Sequence, residues 1–119
     1  MENKISSYKD LSIWKKSINL SVKIYQYTEN FPAKEVYGIT NQLRRSSVSI
    51  PSNIAEGSRR TTKDFINFLR ISLGSLSELE TQTLISFKIN YLNEKQYEEL
   101  LNDMIEISKM IVTLIKRLK

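Results

Sequence analysis

The chain has 119 residues, enough for one domain with its own core, and its 40% hydrophobic and 26% charged content excludes a disordered polymer. It has neither cysteine nor histidine, which excludes disulfides, thiolate metal sites, thiol nucleophiles, Ser-His-Asp catalysis and histidine general bases. A formal net charge of +5 favours acidic partners such as RNA, DNA or an anionic surface.

Three glycines and two prolines leave little material for turns, so few, long elements are expected in a single domain spanning residues 1–119. The opening Met1-Glu2-Asn3-Lys4-Ile5-Ser6-Ser7 is polar and has no apolar signal core. No run approaches the roughly 18 apolar residues that a membrane span needs. The expectation is a cytoplasmic protein.

The first helix is predicted over about residues 10–29, with Asp10 as N-cap and Phe31-Pro32 as the stop. Leu11, Trp14, Ile18, Val22 and Tyr25 form one stripe, and Ile13, Leu20, Ile24 and Tyr27 form another nearly opposite. The small residues Ser17, Ser21 and Thr28 lie between them on one side, and Lys15, Lys16 and Lys23 lie on the other. An apolar arc this wide exceeds what a surface helix buries. It suits a helix that packs on its own bundle and also on a second subunit, with Ile13, Leu20, Ile24 and Tyr27 as the candidate interface. The alternative is a central helix of one compact bundle.

The second helix is predicted over about residues 35–57, with Glu35 in its first turn and Gly57 as C-cap. Val36, Ile39, Leu43, Ser47, Ile50 and Ile54 make its core stripe. Gln42, Ser46, Ser49, Asn53 and Glu56 run beside it as a polar stripe. That stripe reads as an internal hydrogen-bond network rather than a ligand pocket. Pro51 falls inside the pattern and has no N–H for the carbonyl of Ser47, so a kink is expected, with a neighbouring serine available for the freed carbonyl.

The third helix is predicted over about residues 62–90, capped by Thr61 or Thr62, with Asp64 in its first turn. Phe65, Leu69, Ser72, Leu76, Leu79, Thr83 and Phe87 form a near-heptad seam, and Gly74 falls on the opposite side. Gly74 there signals either close backbone contact or a plain weak spot. The fourth helix, about residues 94–118, opens with a capping box of Asn93 and Gln96 and carries Leu100, Met104, Ile107, Ile111 and Ile115 on one face. Four helices and three short connections predict an all-α, antiparallel up-down-up-down bundle.

Carboxylate-bridged metal sites in such bundles use Glu-x-x-His, which this chain cannot supply. Glu56, Glu78 and Glu80 could hold a hard cation only as isolated helix glutamates, so no metal or cofactor is expected. Arg44, Arg45, Arg59, Arg60, Lys63 and Arg70 fall within 27 positions against only Glu56 and Asp64. Arginine forks suit phosphate, so these six are the candidate nucleic-acid-binding residues. The competing assignment is salt bridges to Glu35, Glu56, Glu78 and Glu80.

The run Tyr37-Gly38-Ile39-Thr40-Asn41-Gln42-Leu43-Arg44-Arg45, continued by Ser49-Ile50-Pro51-Ser52-Asn53-Ile54-Ala55-Glu56-Gly57, resembles the bacterial four helix bundle protein family, also called the 23S ribosomal RNA intervening-sequence protein family. Tyr8-Lys9-Asp10-Leu11 with Trp14-Lys15 is similar to that family's opening. Gly74-Ser75-Leu76-Ser77-Glu78-Leu79-Glu80-Thr81 is similar to its third-helix signature, although Thr83 stands where Leu is expected. The resemblance implies an antiparallel bundle assembled into a ring, typically a homopentamer, with no established enzymatic activity. It also implies a relative, the accessory protein of diversity-generating retroelements, which is a basic ring that binds RNA and a reverse transcriptase. Two functions follow as expectations. One is a non-enzymatic, RNA-binding accessory protein, and the other is a scaffolding ring with no nucleic-acid role.

Overall fold

The structure, a computed structural model, describes residues 8–119. The polar opening read at residues 1–7 lies outside them. Four helices follow a short 3-10 turn: α1 (Ser12–Thr28), α2 (Ile39–Ser58), α3 (Thr62–Lys88) and α4 (Glu94–Leu118). No strand occurs among the described residues. α1 and α3 each pack against α2 and α4, giving a body of 51 × 24 × 19 Å.

α1 turns one stripe inward, made of Ile13, Ser17, Leu20, Ser21, Ile24 and Thr28. Ser17 and Thr28 donate to the carbonyls of Ile13 (2.6 Å) and Ile24 (2.7 Å), which satisfies their buried hydroxyls within the helix. The expected subunit face at Ile13, Leu20 and Ile24 is therefore corrected. These side chains are buried in the chain's own core because α2 and α4 cover them, and they present nothing to a second copy. Tyr27, the fourth member, is half-buried and donates to Glu99 Oε2 on α4 (2.8 Å). The other stripe emerges instead, with Val22 49% and Tyr25 44% exposed. Leu11, not Asp10, occupies the N-cap position.

α2 begins at Ile39, later than the sequence pattern suggests. Ala33–Glu35 form a separate 3-10 turn. Glu35 works ahead of the helix rather than in its first turn. Its Oε2 accepts from Tyr91 (2.8 Å), which ties the α1–α2 connection to the α3–α4 connection, and its Oε1 lies 3.5 Å from the N–H of Ile39. Gly38 is the N-cap, and a Cβ there would stand 2.6 Å from Glu35 Oε1.

Helix α2 continues unbroken through Pro51. The Ser47 carbonyl, which proline cannot serve, accepts the hydroxyl of Ser21 from α1 at 2.8 Å. Ser72 of α3 donates to the Ile50 carbonyl at 3.1 Å. Toward its end, α2 approaches α3 at Gly57. This glycine is no C-cap, because the helix runs to Ser58 and Arg59 takes the cap position. Its role is contact: a Cβ would meet Phe68 Cβ at 2.5 Å and Phe65 Cδ1 at 3.1 Å.

α3 is capped by Thr61, which accepts from the Asp64 N–H (3.2 Å). Its seam is buried through Phe65, Leu69, Ser72, Leu76, Leu79 and Thr83. At the end of the seam Ser86 takes the buried place, and half-buried Phe87 stacks on Tyr97 of α4 with centroids 4.6 Å apart. Asn90, at φ 68°, closes the helix in the left-handed region, with Tyr91 N–H donating to Ser86 O (2.8 Å) and Asn90 N–H to Phe87 O (3.0 Å). Asparagine tolerates that conformation, and the two bonds satisfy the terminal carbonyls. Gly74 faces open space, with no atom within 4 Å of a built Cβ. α4 starts with both halves of the Asn93/Gln96 capping box. Its buried face is Leu100, Met104, Ile107, Ile111 and Ile115.

Two substitutions test this packing. Gly57→Ala gains up to about 1 kcal/mol of helix propensity but forces α2 and α3 apart, so a net loss of about 1–3 kcal/mol is expected in chemical denaturation. The Thr83 hydroxyl is buried with no partner among the described residues, so isosteric Thr83→Val should stabilise by about 1–2 kcal/mol. A lower melting temperature for Thr83→Val would show that the hydroxyl is satisfied.

Candidate nucleic-acid interface

Helical geometry separates the six basic residues that lie close in sequence. Arg45 on α2 and Arg59 at its C-terminal cap are fourteen residues apart, or about 21 Å along the axis at roughly 1.5 Å per residue. Arg44 and Arg45 sit at the head of α2. Arg59, Arg60 and Lys63 sit at the far end, around the α2–α3 connection. Arg70 lies on α3 between Phe68, which packs on Gly57, and Ser72, which bonds Ile50. The structure therefore makes two groups, with Arg70 apart from both, rather than one cluster.

The members differ in freedom. Arg44 is held: its Nε donates to Thr28 Oγ1 (3.0 Å), and its guanidinium lies 4.6 Å from the centroid of the Tyr25 ring. A cation placed there also complements the C-terminal end of α1. Arg60 is paired with Glu56 Oε2 at 2.6 Å through Nη2 and at 2.9 Å through Nε, and lies 5.3 Å from the Phe68 ring. Arg59 stacks 5.3 Å from the ring of Tyr8. Arg45, Arg59, Lys63 and Arg70 are exposed and have no carboxylate partner among the described residues. The salt-bridge assignment thus holds for Arg60 but not for these four.

The lysines of α1 are mostly engaged. Lys16 pairs with Glu106 (2.9 Å), and Lys23 pairs with Asp103 (2.7 Å) and Glu99 (2.9 Å). The hydrogen bonds that Lys23 donates to Asp103 and Glu99 hold its ammonium protonated well above the usual lysine range. Those from Lys23 and Tyr27 hold the Glu99 carboxyl below its ordinary value. α4 thereby neutralises much of this face, and among the described residues Lys15 stays exposed and without a partner on it.

The polar stripe of α2 divides. Ser46 donates to Gln82 Oε1 of α3 (2.7 Å), and the hydroxyls of Ser49 and Ser75 lie 2.9 Å apart. Asn53 donates to the Ser49 carbonyl (2.8 Å). Ser46 is thus tied to α3 separately from the group of Ser49, Asn53 and Ser75, while Gln42 and Glu56 stand exposed on α2. Among the described residues, no group of three or more acidic side chains is placed to share a metal ion, and no helix is long and apolar enough to cross a membrane.

Two grooves flank Arg45. One, of about 370 Å³, runs between α2 and α3 past Gln42, Ser46, Glu78 and Gln82. The other, of about 520 Å³, lies between Tyr25 of α1 and Val36, Thr40, Arg44, Arg45 and Val48. The second groove was not legible in the sequence, apart from the adjacent arginines just after the Tyr37-Gly38 break. Its other walls come from α1 and from the connection before α2, which no periodicity brings together.

The sequence profile of the 23S rRNA-intervening sequence proteins matches residues 9–113. A solved structure from Bacteroides thetaiotaomicron, a protein of unknown function from the S23 ribosomal protein family, superposes with a TM-score of 0.78 at 31% identity, covering 87% of this chain and 98% of that one. No functionally curated protein matches. With the profile running from the turn before α1 nearly to the end of α4, the chain belongs to the 23S rRNA-intervening sequence protein family.

Proposed function

We propose that this chain is a non-enzymatic RNA-binding accessory protein of the cytoplasm that works as a homo-oligomer, with five subunits as the family resemblance suggests. The observation that carries the reading is that no carboxylate neutralises Arg45, Arg59, Lys63 or Arg70, although Arg59 rests on the Tyr8 ring. These four exposed cations, on α2, at its C-terminal cap and on α3, have no acidic partner among the described residues, in a chain of net charge +5. Free guanidinium groups on a rigid helix suit phosphodiesters, and repetition around an assembly multiplies weak contacts through effective concentration.

The subunit in this reading is an antiparallel up-down-up-down bundle bent at Pro51. Partner order along the helices supports it. Ser21 and Thr28 meet Ser47 and Arg44, Ser46 and Ile50 meet Gln82 and Ser72, and Lys16 and Lys23 meet Glu106 and Asp103, each pair of helices in opposite sequence order. Assembly is supported by the outer face of α3. There Ile71 and Ile85 are exposed, and Gly74 stands open between them, which allows another backbone to approach closely. This face takes the place of Ile13, Leu20 and Ile24 as the surface proposed to meet a neighbouring subunit. The same face also favours a second reading, a scaffolding ring whose charge is incidental.

RNA titration of the assembled protein at two salt concentrations, with mass followed by light scattering, decides between the readings. Affinity should fall at least about tenfold between roughly 50 and 200 mM salt and show little base preference. Arg59→Ala with Arg60→Ala should weaken binding without changing the far-ultraviolet helix signal. No wild-type binding at low salt would refute the RNA reading and leave the scaffold. A mass near 13.9 kDa would refute the assembly.

A further inference from the structure

The groove at the head of α2 carries an observation that the salt-dependent reading does not need. Thr40 lines it, is only 5% exposed, and its hydroxyl has no hydrogen-bond partner among the described residues. A threonine in a helix commonly returns its hydroxyl to the carbonyl one turn back, as Thr28 does. Leaving that group buried and unpaired is costly unless something else completes it. Around it stand other unused donors. The first helical backbone bond of α2 runs from Gln42 N–H to Gly38 O. The N–H groups of Thr40 and Asn41 precede it and belong to the free N-terminal turn. Arg45, exposed and unpaired, forms the rim, and the anchored Arg44 contributes a second positive charge to the wall.

The rest of the wall is apolar. Tyr25, Val36 and Val48 are all substantially exposed along this groove. A bare anion would have no use for that surface. A nucleotide has both parts, a phosphate for donors at a helix N-terminus and a flat base for an aromatic and aliphatic wall.

We propose that this groove is a nucleotide-binding subsite for single-stranded nucleic acid. The phosphate is held by Arg45, the Thr40 hydroxyl and the N–H groups of Thr40 and Asn41, past the Ile39 N–H that Glu35 Oε1 already faces, and the base lies against Val36, Val48 and Tyr25, whose ring also carries the Arg44 guanidinium. The proposal rests on the RNA reading above and narrows it: the sequence-tolerant cations Arg59, Lys63 and Arg70 track the backbone, whereas the head of α2 grips one nucleotide unit.

The test is calorimetric titration of the assembled protein with uridine monophosphate and, separately, with inorganic phosphate and with RNA. It compares the wild type, Arg45→Ala, Thr40→Val and, as a control, Arg59→Ala. Wild type should bind uridine monophosphate more tightly than inorganic phosphate. Arg45→Ala should weaken uridine monophosphate at least roughly tenfold, and Thr40→Val at least roughly threefold. Thr40→Val should not lower the melting temperature, because it removes a buried unpaired hydroxyl. Arg59→Ala should leave mononucleotide affinity unchanged. RNA binding by the wild type with no loss in Arg45→Ala or Thr40→Val would overturn the groove while the RNA reading stands. Equal affinity for uridine monophosphate and inorganic phosphate would overturn the base wall. A fall in assembly mass for Arg45→Ala would mark the groove as a contact between copies and overturn the proposal. No binding of either RNA or mononucleotide by the wild type would remove both readings.

Discussion

Everything in this bundle that bears on function hangs on α2 passing through Pro51 without losing its place. The proline leaves the Ser47 carbonyl without its helical donor in a buried position, and such an orphan costs about 1–3 kcal/mol. Ser21 from α1 supplies the donor at 2.8 Å, and one turn on Ser72 from α3 reaches the Ile50 carbonyl. Both neighbours are thus bonded to the backbone of α2 itself, not only to its side chains. Such bonds fix axial register, because a slide of one residue along the helix carries the carbonyl out of reach. Serine and glycine at the contacts keep the helices close: Ser46, Ser49 and Gly57 on α2 meet Gln82, Ser75 and Phe68 on α3.

That register decides where the basic residues go. α2 is long enough to hold Arg45 near one end and Arg59 at its C-terminal cap, with Arg60 in the connection beyond, so a single rigid element spaces cations over about 21 Å. At the head end the helix is also located from outside. Glu35 links its approach to Tyr91, and Arg44 is seated on Tyr25 and Thr28. The groove beside Thr40 exists because α1 ends where α2 begins. Meanwhile Lys16 and Lys23 bond α1 to the acids of α4, whereas Arg45, Arg59, Lys63 and Arg70 keep no carboxylate among the described residues, and neither do Lys109, Lys116 and Arg117 of α4.

Much of the fold was legible in the residues. Thr61 and the Asn93/Gln96 box announce helix starts by local chemistry, which is why both appear where the pattern puts them. The serine rescue of Pro51 was also readable, since a buried carbonyl must find some donor. Other features depend on partners distant in sequence. α1 has two comparable apolar stripes, and only the positions of α2 and α4 select the one with Ile13, Leu20 and Ile24 for burial. Glu35 looks like a first-turn acid until Tyr91, 56 residues away, claims it. Gly57 reads as a C-cap because the pattern cannot show Phe68 pressing on it. The basic residues read as one cluster because sequence distance hides helical length. Thr40 gave no signal at all, since its meaning lies in the absence of a partner.

A double-mutant cycle of Ser21→Ala with Pro51→Ala addresses the central constraint most directly. Ser21→Ala in the natural background strands the Ser47 carbonyl and should cost about 1–3 kcal/mol in chemical denaturation. In the Pro51→Ala background residue 51 has its own N–H for that carbonyl, so the same substitution should cost about 1 kcal/mol less. Strictly additive losses would contradict the account, because they would mean that the Ser21 hydroxyl does not stand in for the bond the proline removes.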